Sequence, residues 1–204
     1  EKQFNEIINK YQSLLGNDSK LRYIIKKGKI YQEIVEQAES YKEAVISAST
    51  HGASGFEEFF IGSNAFKIIS ATPSPVITMR KYVPKDIKKI VVPLKLHVDT
   101  RQKVPFVAEI AELFDAEIHL VTIASTKNKQ DNKRLNSYLA QSADYIRKKH
   151  IKFTTKSLHG ESLVNLVNNY VEAVDADMVS IMTSQAGNFG ILMGSYAHQM
   201  LYRS

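Results

Sequence analysis

Apolar residues recur at two different spacings along this chain, and the switches between them mark out its elements. Lys89-Ile90-Val91-Val92-Pro93-Leu94 is a short, nearly continuous apolar run rich in β-branched residues, the pattern of a strand covered on both faces in a parallel sheet. Val104, Val107, Ala108, Ile110, Ala111 and Phe114 then follow at helical spacing, with Asp99 or Thr100 placed to cap that helix. Further on the pattern predicts a strand from Glu117 to Ile123, a polar helix from Lys129 to Lys149 and a strand from Ile151 to Leu158. A helix from Ser162 to Val174, a strand from Met178 to Thr183 and a last helix starting near Gly194 complete this half. The earlier half reads as a helix from Glu1 to Leu15, a strand from Leu21 to Lys26, a helix from Ile30 to Tyr41 and a strand from Ala44 to Ala48. After a loop come a helix from Ser63 to Ala71 and a strand from Val76 to Met79, and the polar stretch from Lys81 to Lys88, with Pro84, reads as a linker. Strands alternating with helices at these lengths indicate βαβ crossovers and an α/β class with parallel sheets.

The two halves repeat one another. Ile61-Gly62-Ser63-Asn64-Ala65 matches Met193-Gly194-Ser195-Tyr196-Ala197, 132 positions later, and Lys27-Gly28-Lys29 matches His159-Gly160-Glu161 at the same offset. Each glycine of the second pair follows a strand-like segment and precedes an apolar helix-like one, so two tandem copies are expected, 1–82 and 86–204. From about Lys85 to Asn132 nothing in the first copy corresponds, and Ser204 corresponds to Thr72, short of the counterpart of Pro73-Ser74-Pro75-Val76. The first copy is therefore expected to lack its opening part and the second its last strand. A complete product would add roughly 50 residues before Glu1 and about ten after Ser204 on this reckoning.

Composition narrows the class. With 44% hydrophobic and 24% charged residues the chain has the make-up of a soluble globular protein. The net charge of +6 comes from Lys and Arg scattered among Glu and Asp, without basic clusters interleaved with aromatics, so no nucleic-acid partner is expected. Without cysteine, neither a disulfide framework nor a thiolate zinc site can form. No apolar run reaches the length of a membrane span, and Glu1-Lys2-Gln3-Phe4 opens in a helix-like pattern rather than a signal peptide, so a cytoplasmic protein is the expectation.

The candidate chemistry lies in Ser49-Thr50-His51-Gly52-Ala53-Ser54-Gly55-Phe56 and the Gly62-Ser63 that ends this loop. It links a strand to a helix at the carboxyl end of a parallel sheet, where such folds place ligands. Small residues allow close backbone approach, and the free N–H groups at a helix start favour an anion. The same residues have a plainer reading, Gly52 and Gly55 in a tight turn and Gly62-Ser63 as a cap. Gly28 and Gly160 end strands, Asp99, Asp175 and Asp177 sit near helix ends where capping is expected, and Phe56, Phe59 and Phe60 read as core or partner contacts. His51, inside the loop, reads as a hydrogen-bonding or exposed residue, and His97, His119, His150, His159 and His198 show no metal-ligand spacing.

With its glycine loop, the Gly62-Ser63 helix start and the closing Pro73-Ser74-Pro75-Val76 strand, the chain resembles the universal stress protein family. Members that bind ATP carry a glycine, two residues, a second glycine, nine residues, then Gly-Ser or Gly-Thr. Here Ser49 stands at the first glycine, Gly52 is the second, and Gly62-Ser63 follows after nine residues. The resemblance implies two tandem Rossmann-like domains of the adenine nucleotide alpha hydrolase type, with strand order 3-2-1-4-5. It also implies ATP as ligand, with Ser49, Thr50, Gly52, Gly62, Ser63 and Asn64 around it. In the second copy Lys95 stands where the family has an aspartate at the end of the first strand. The loop Met182-Thr183-Ser184-Gln185-Ala186-Gly187-Asn188-Phe189-Gly190 does not keep the glycine spacing, although Gly194-Ser195 do. That copy resembles one that keeps the fold without the ATP pattern.

Three functions follow as expectations. The first is a stress-response binding protein whose first copy takes ATP or a related nucleotide, with no dedicated catalytic set, since no Ser-His-Asp, paired-carboxylate or P-loop arrangement appears. The second is a scaffold without nucleotide that pairs with itself, within the chain or as a homodimer, through Val76-Ile77-Thr78-Met79. The third is a nucleotide-using ligase or transferase on the same architecture.

Overall fold

The structure, a computed structural model, describes residues 2–49, 63–79, 86–96, 100–124, 129–160, 162–185, 191–192 and 200. Chain order is α1 (Lys2–Gln12), α2 (Ile30–Glu39), β1 (Ile46–Ser49), α3 (Ser63–Ala71) and β2 (Val76–Met79). Then come β3 (Lys89–Leu94), a 3-10 turn (Thr100–Lys103), α4 (Val104–Phe114), β4 (Glu117–Ala124), α5 (Lys129–Lys148) and β5 (Phe153–His159). The chain continues with α6 (Leu163–Val174), β6 (Met178–Val179), β7 (Ser184–Gln185) and β8 (Ile191–Leu192). The α/β class with parallel sheets is as the hydrophobic pattern indicates.

The larger sheet has the order β5-β4-β3-β6, all parallel. Counted from β3 this is 3-2-1-4. β3 lies in the middle because both its faces are apolar: Ile90, Val92 and Leu94 join Val104, Val107 and Ala111 of α4, Ile118 and Leu120 of β4, and Ile146 of α5 in one cluster. Val91 faces the other way, toward Val121, Ile123, Val164, Val167 and Met200. Burying each such aliphatic side chain stabilises the sheet by about 1.5–3 kcal/mol.

Two polar devices hold the ends of this layer. The Asp177 carboxylate accepts the main-chain N–H of Lys88 (2.8 Å) and Lys89 (3.0 Å), fixing the start of β3 beside β6, so this aspartate anchors a strand rather than caps a helix. Asp175 terminates α6 in the left-handed region, at φ 52 and ψ 60, a conformation that Asp tolerates better than most side chains. At the other end of α6 the Ser162 hydroxyl accepts the Asn165 N–H.

The smaller parallel sheet pairs β1 with β2, in register from Ile46 opposite Val76 to Ser49 opposite Met79. α2 and α3 cover it through Ala38 and Ile68, which cluster with Ile46 of β1, with Tyr31, Ile34, Ala44 and Val76 around them. The strand expected from Leu21 to Lys26 does not form. A strand needs a neighbour for its main-chain groups, and the described β1–β2 sheet does not extend to this segment. For the same reason α1 buries nothing. Ile7, Tyr11 and Leu14 are exposed, whereas Leu139, Ala143 and Ile146, which stand 132 positions later in α5, pack in the β3–β4 core. The strand expected from Met178 to Thr183 is regular only over its first two residues, and β7 pairs antiparallel with β8, a hairpin the sequence pattern did not signal. Of the helix expected near Gly194, only Met200 lies among the described residues.

Candidate functional site

Two places at the carboxyl ends of parallel strands qualify as sites. In the first, Ser49 is the exposed last residue of β1, while Ser63 and Asn64 open α3, the crossover that returns to β2. The described residues thus give the strand end and the helix start on either side of the expected loop. Thr50, Gly52 and Gly62 lie outside the described residues, as do His51, Gly55, Phe56, Phe59 and Phe60.

The second place lies between β3 and β6. Their ladder runs from Ile90 opposite Met178 to Val91 opposite Val179, with the Ser180 N–H bonded to the Val91 carbonyl at 2.9 Å. There it stops. In a parallel ladder the next bond would run from the N–H of residue 93 to the carbonyl of residue 180, and residue 93 is a proline, which has no N–H. The ladder therefore ends at Pro93, and it does so beside the point where the strand order reverses, the place at whose carboxyl side doubly wound sheets bind ligands.

Lys103, the last residue of the 3-10 turn and the residue preceding α4, fills that gap. Its Nζ donates to the Pro93 carbonyl at 2.7 Å and to the Ser180 carbonyl at 2.6 Å. The side chain is buried, and burial, followed by the charge of Lys95, lowers its pKa to about 7. Burial also lowers the pKa of Lys95, the residue standing where the family's aspartate was expected. Thr100 does not cap α4. Its hydroxyl closes the turn after β3, accepting the Lys95 N–H at 3.0 Å and donating to the Lys95 carbonyl at 3.2 Å. Sequence reasoning passed over Lys103, although a signal was present: it stands four residues before Val107 and eight before Ala111, on the stripe of α4 that faces the core.

Two further polar features belong to this sheet. A cavity of about 210 Å³ opens at the ends of β4 and β5, lined by Thr122, Ser157, His159, Asn132, Leu135 and Asn136. The Thr122 hydroxyl donates to Ser157 Oγ across it at 2.9 Å. On the opposite face His119 is buried, its Nδ1 3.0 Å from the Tyr170 hydroxyl and its Nε2 3.8 Å from Glu117 Oε1. Burial lowers its pKa despite that carboxylate. Among the described residues no group of three His, Cys, Asp or Glu is placed to hold a metal ion, and no helix is long and apolar enough to cross a membrane.

Comparison with known proteins bears on both halves. Residues 5–80 match the model described as the Universal stress protein family. No curated protein matches the chain. A universal stress protein from Archaeoglobus fulgidus DSM 4304 shares the fold over 100% of this chain and 74% of its own, with TM-score 0.78 and 16% identity. A second structure of a universal stress protein from Archaeoglobus fulgidus matches 60% of this chain and 93% of its own, with TM-score 0.51 and 22% identity. Residues 5–80 thus match the universal stress protein family model, and the chain as a whole has the α/β fold found in solved universal stress proteins.

Proposed function

We propose that the chain is a tandem universal stress protein, with units at 1–82 and 86–204, that acts in the cytoplasm in the stress response as a nucleotide-binding protein. The first unit binds ATP through Ser49, Thr50, Gly52, Gly62, Ser63 and Asn64, and the second keeps the fold without the ATP pattern. The observation that carries this reading is the order β1, loop, α3, β2, with Ser49 at the end of one parallel strand and Ser63-Asn64 at the start of the crossover helix. Main-chain N–H groups at such a junction favour a phosphate. Calorimetric titration of the chain with Mg-ATP tests it: one equivalent bound per chain is expected, and no heat of binding at millimolar nucleotide would defeat it. Turnover of the bound nucleotide is expected to stay at background, since among the described residues no nucleophile–base pair is assembled at either strand end.

The scaffold reading draws on a different observation. β2 has β1 as its one partner in the described sheet, so Val76–Met79 forms a side of a two-stranded ribbon on which a further strand can add. Sedimentation equilibrium with and without Mg-ATP separates the readings: a dimer indifferent to nucleotide speaks for the scaffold.

A further inference from the structure

The crevice between β3 and β6 is built in a way that bears on what can enter it. Three circumstances make Lys103 an expensive occupant. Its ammonium is taken from water, Lys95 is a like charge beside it, and it stands at the amino end of α4, where the helix dipole disfavours a cation. Among the described residues no carboxylate is paired with it. What holds it there is the pair of carbonyls at 2.7 and 2.6 Å. Both point into the gap, because residues 91 and 93 of β3 direct their carbonyls to the same side and Val91 uses that side for the Ser180 N–H. The Ser180 carbonyl is the acceptor that the N–H of residue 93 would have served. Two acceptors beyond the end of the ladder are what the donor groups of a ligand would meet in an open crevice.

We infer that Lys103 is the resident occupant of the second crevice, supplying the donor that Pro93 lacks and thereby closing that crevice to nucleotide. In the second unit Pro93 ends the β3–β6 ladder, and Lys103 fills the place beyond it from within. This deepens the reading of the second unit as one that keeps the fold without nucleotide, and it rests on that reading.

Two measurements test it. The chain is treated with acetic anhydride at pH 8 and acetylation is followed lysine by lysine by mass spectrometry. Lys103 is expected to react at least roughly ten-fold more slowly than exposed Lys148, because reaction requires the crevice to open. Modification at the rate of Lys148 would overturn the inference. In the second, the chain with 13Cε-labelled lysine and 15N-labelled backbone is titrated with Mg-ATP, the Lys103 signal being assigned by its loss in Lys103→Met. A shift of the Asn64 amide with an unmoved Lys103 supports the inference, and a Lys103 signal that moves with ATP overturns it. If neither moves, the first-unit reading fails, and slow or fast acetylation alone sustains or overturns the occupancy of the second crevice.

Discussion

Lys103 Nζ reaches the carbonyl of Ser180, 77 positions away in the chain, at 2.6 Å. This bond is coupled to a third residue, since the same carbonyl is the ladder acceptor for residue 93 and Pro93 cannot donate. Removing the ammonium by Lys103→Met leaves the Pro93 and Ser180 carbonyls buried without that donor, at about 1–3 kcal/mol each, against which stands the relief of a buried charge. In a Pro93→Val background the valine N–H is available to Ser180. The cost of Lys103→Met is therefore expected to be about 1–3 kcal/mol smaller there. Urea unfolding of the two single variants and the double variant measures the coupling, and strictly additive values would refute it.

The same ammonium gives stability a particular pH dependence. Burial lowers the Lys103 pKa to about 7 from its ordinary value of 10.5, so between these values the unfolded chain binds more protons than the folded one. Stability then rises with pH across the window, by at most about 1.4 kcal/mol per unit. Lys95, lowered by its own burial, adds in the same direction nearer the top of the window. Lys88 and Lys149 have raised pKa values and act above the window. Denaturation free energies at pH 7.5, 8.5 and 9.5 are expected to climb, and to climb less in Lys103→Met; a variant with the parent's slope excludes Lys103 as the source.

Much of this architecture is legible in the sequence because apolar spacing is a direct record of burial. Ile90, Val91 and Val92 leave no face for solvent, and the strand they predict is the centre of the larger sheet. Leu21 to Lys26 carries a comparable run, yet a strand depends on a partner as well as on its own residues, and that part is not written in the run itself. β6 ends earlier than its residues suggest for a related reason: Ser180 to Thr183 look like strand, but Pro93 on the neighbouring strand ends the ladder. At the first site the order of Ser49 and Ser63-Asn64 was readable, whereas Thr50, Gly52 and Gly62 lie outside the described residues. At the second, Lys103 continues the spacing of Val107 and Ala111, but a charged residue gives no apolar signal of its own burial.

His119 supplies a second pH effect, at lower pH. Its folded pKa lies below 6.5 because burial outweighs the attraction of Glu117, so as pH falls below 6.5 the unfolded chain takes up a proton that the folded one resists. Stability contributed above that pH is lost on acidification. His119→Leu is expected to flatten the fall between pH 7 and pH 5. Tyr170→Phe, which removes the hydroxyl 3.0 Å from Nδ1, is expected to cost about 1 kcal/mol at neutral pH. Urea midpoints at the two pH values decide both, and an equal acid loss in His119→Leu and parent counts against the assignment.

Asp177 binds the start of β3 to the start of β6 through two N–H bonds of 2.8 and 3.0 Å. Charge-assisted bonds of this length are stronger than neutral ones. Asp177→Ala is expected to destabilise the chain by about 1.5–3 kcal/mol, and Asp177→Asn, which keeps one acceptor, by about half as much. Hydrogen exchange at the Lys88 and Lys89 amides provides a local readout, faster in Asp177→Ala; unchanged exchange there would show that the carboxylate does not hold these groups in solution.

Gly62→Val addresses the first site. Under the proposed function, the backbone of residue 62 comes close to a phosphate immediately before α3, and a branched side chain stands in the way of that approach. Residue 62 precedes the described helix, whose first residue is Ser63, so helix packing through Ala65 and Ile68 is expected to survive the change. The affinity for Mg-ATP is expected to fall by roughly ten-fold or more, equivalent to about 1.4 kcal/mol, with thermal unfolding within a few degrees of the parent. Calorimetry on the two proteins gives the answer: equal affinity places the phosphates elsewhere, and a lost affinity accompanied by lost folding is resolved with Ser63→Ala, which removes a hydroxyl and adds no bulk.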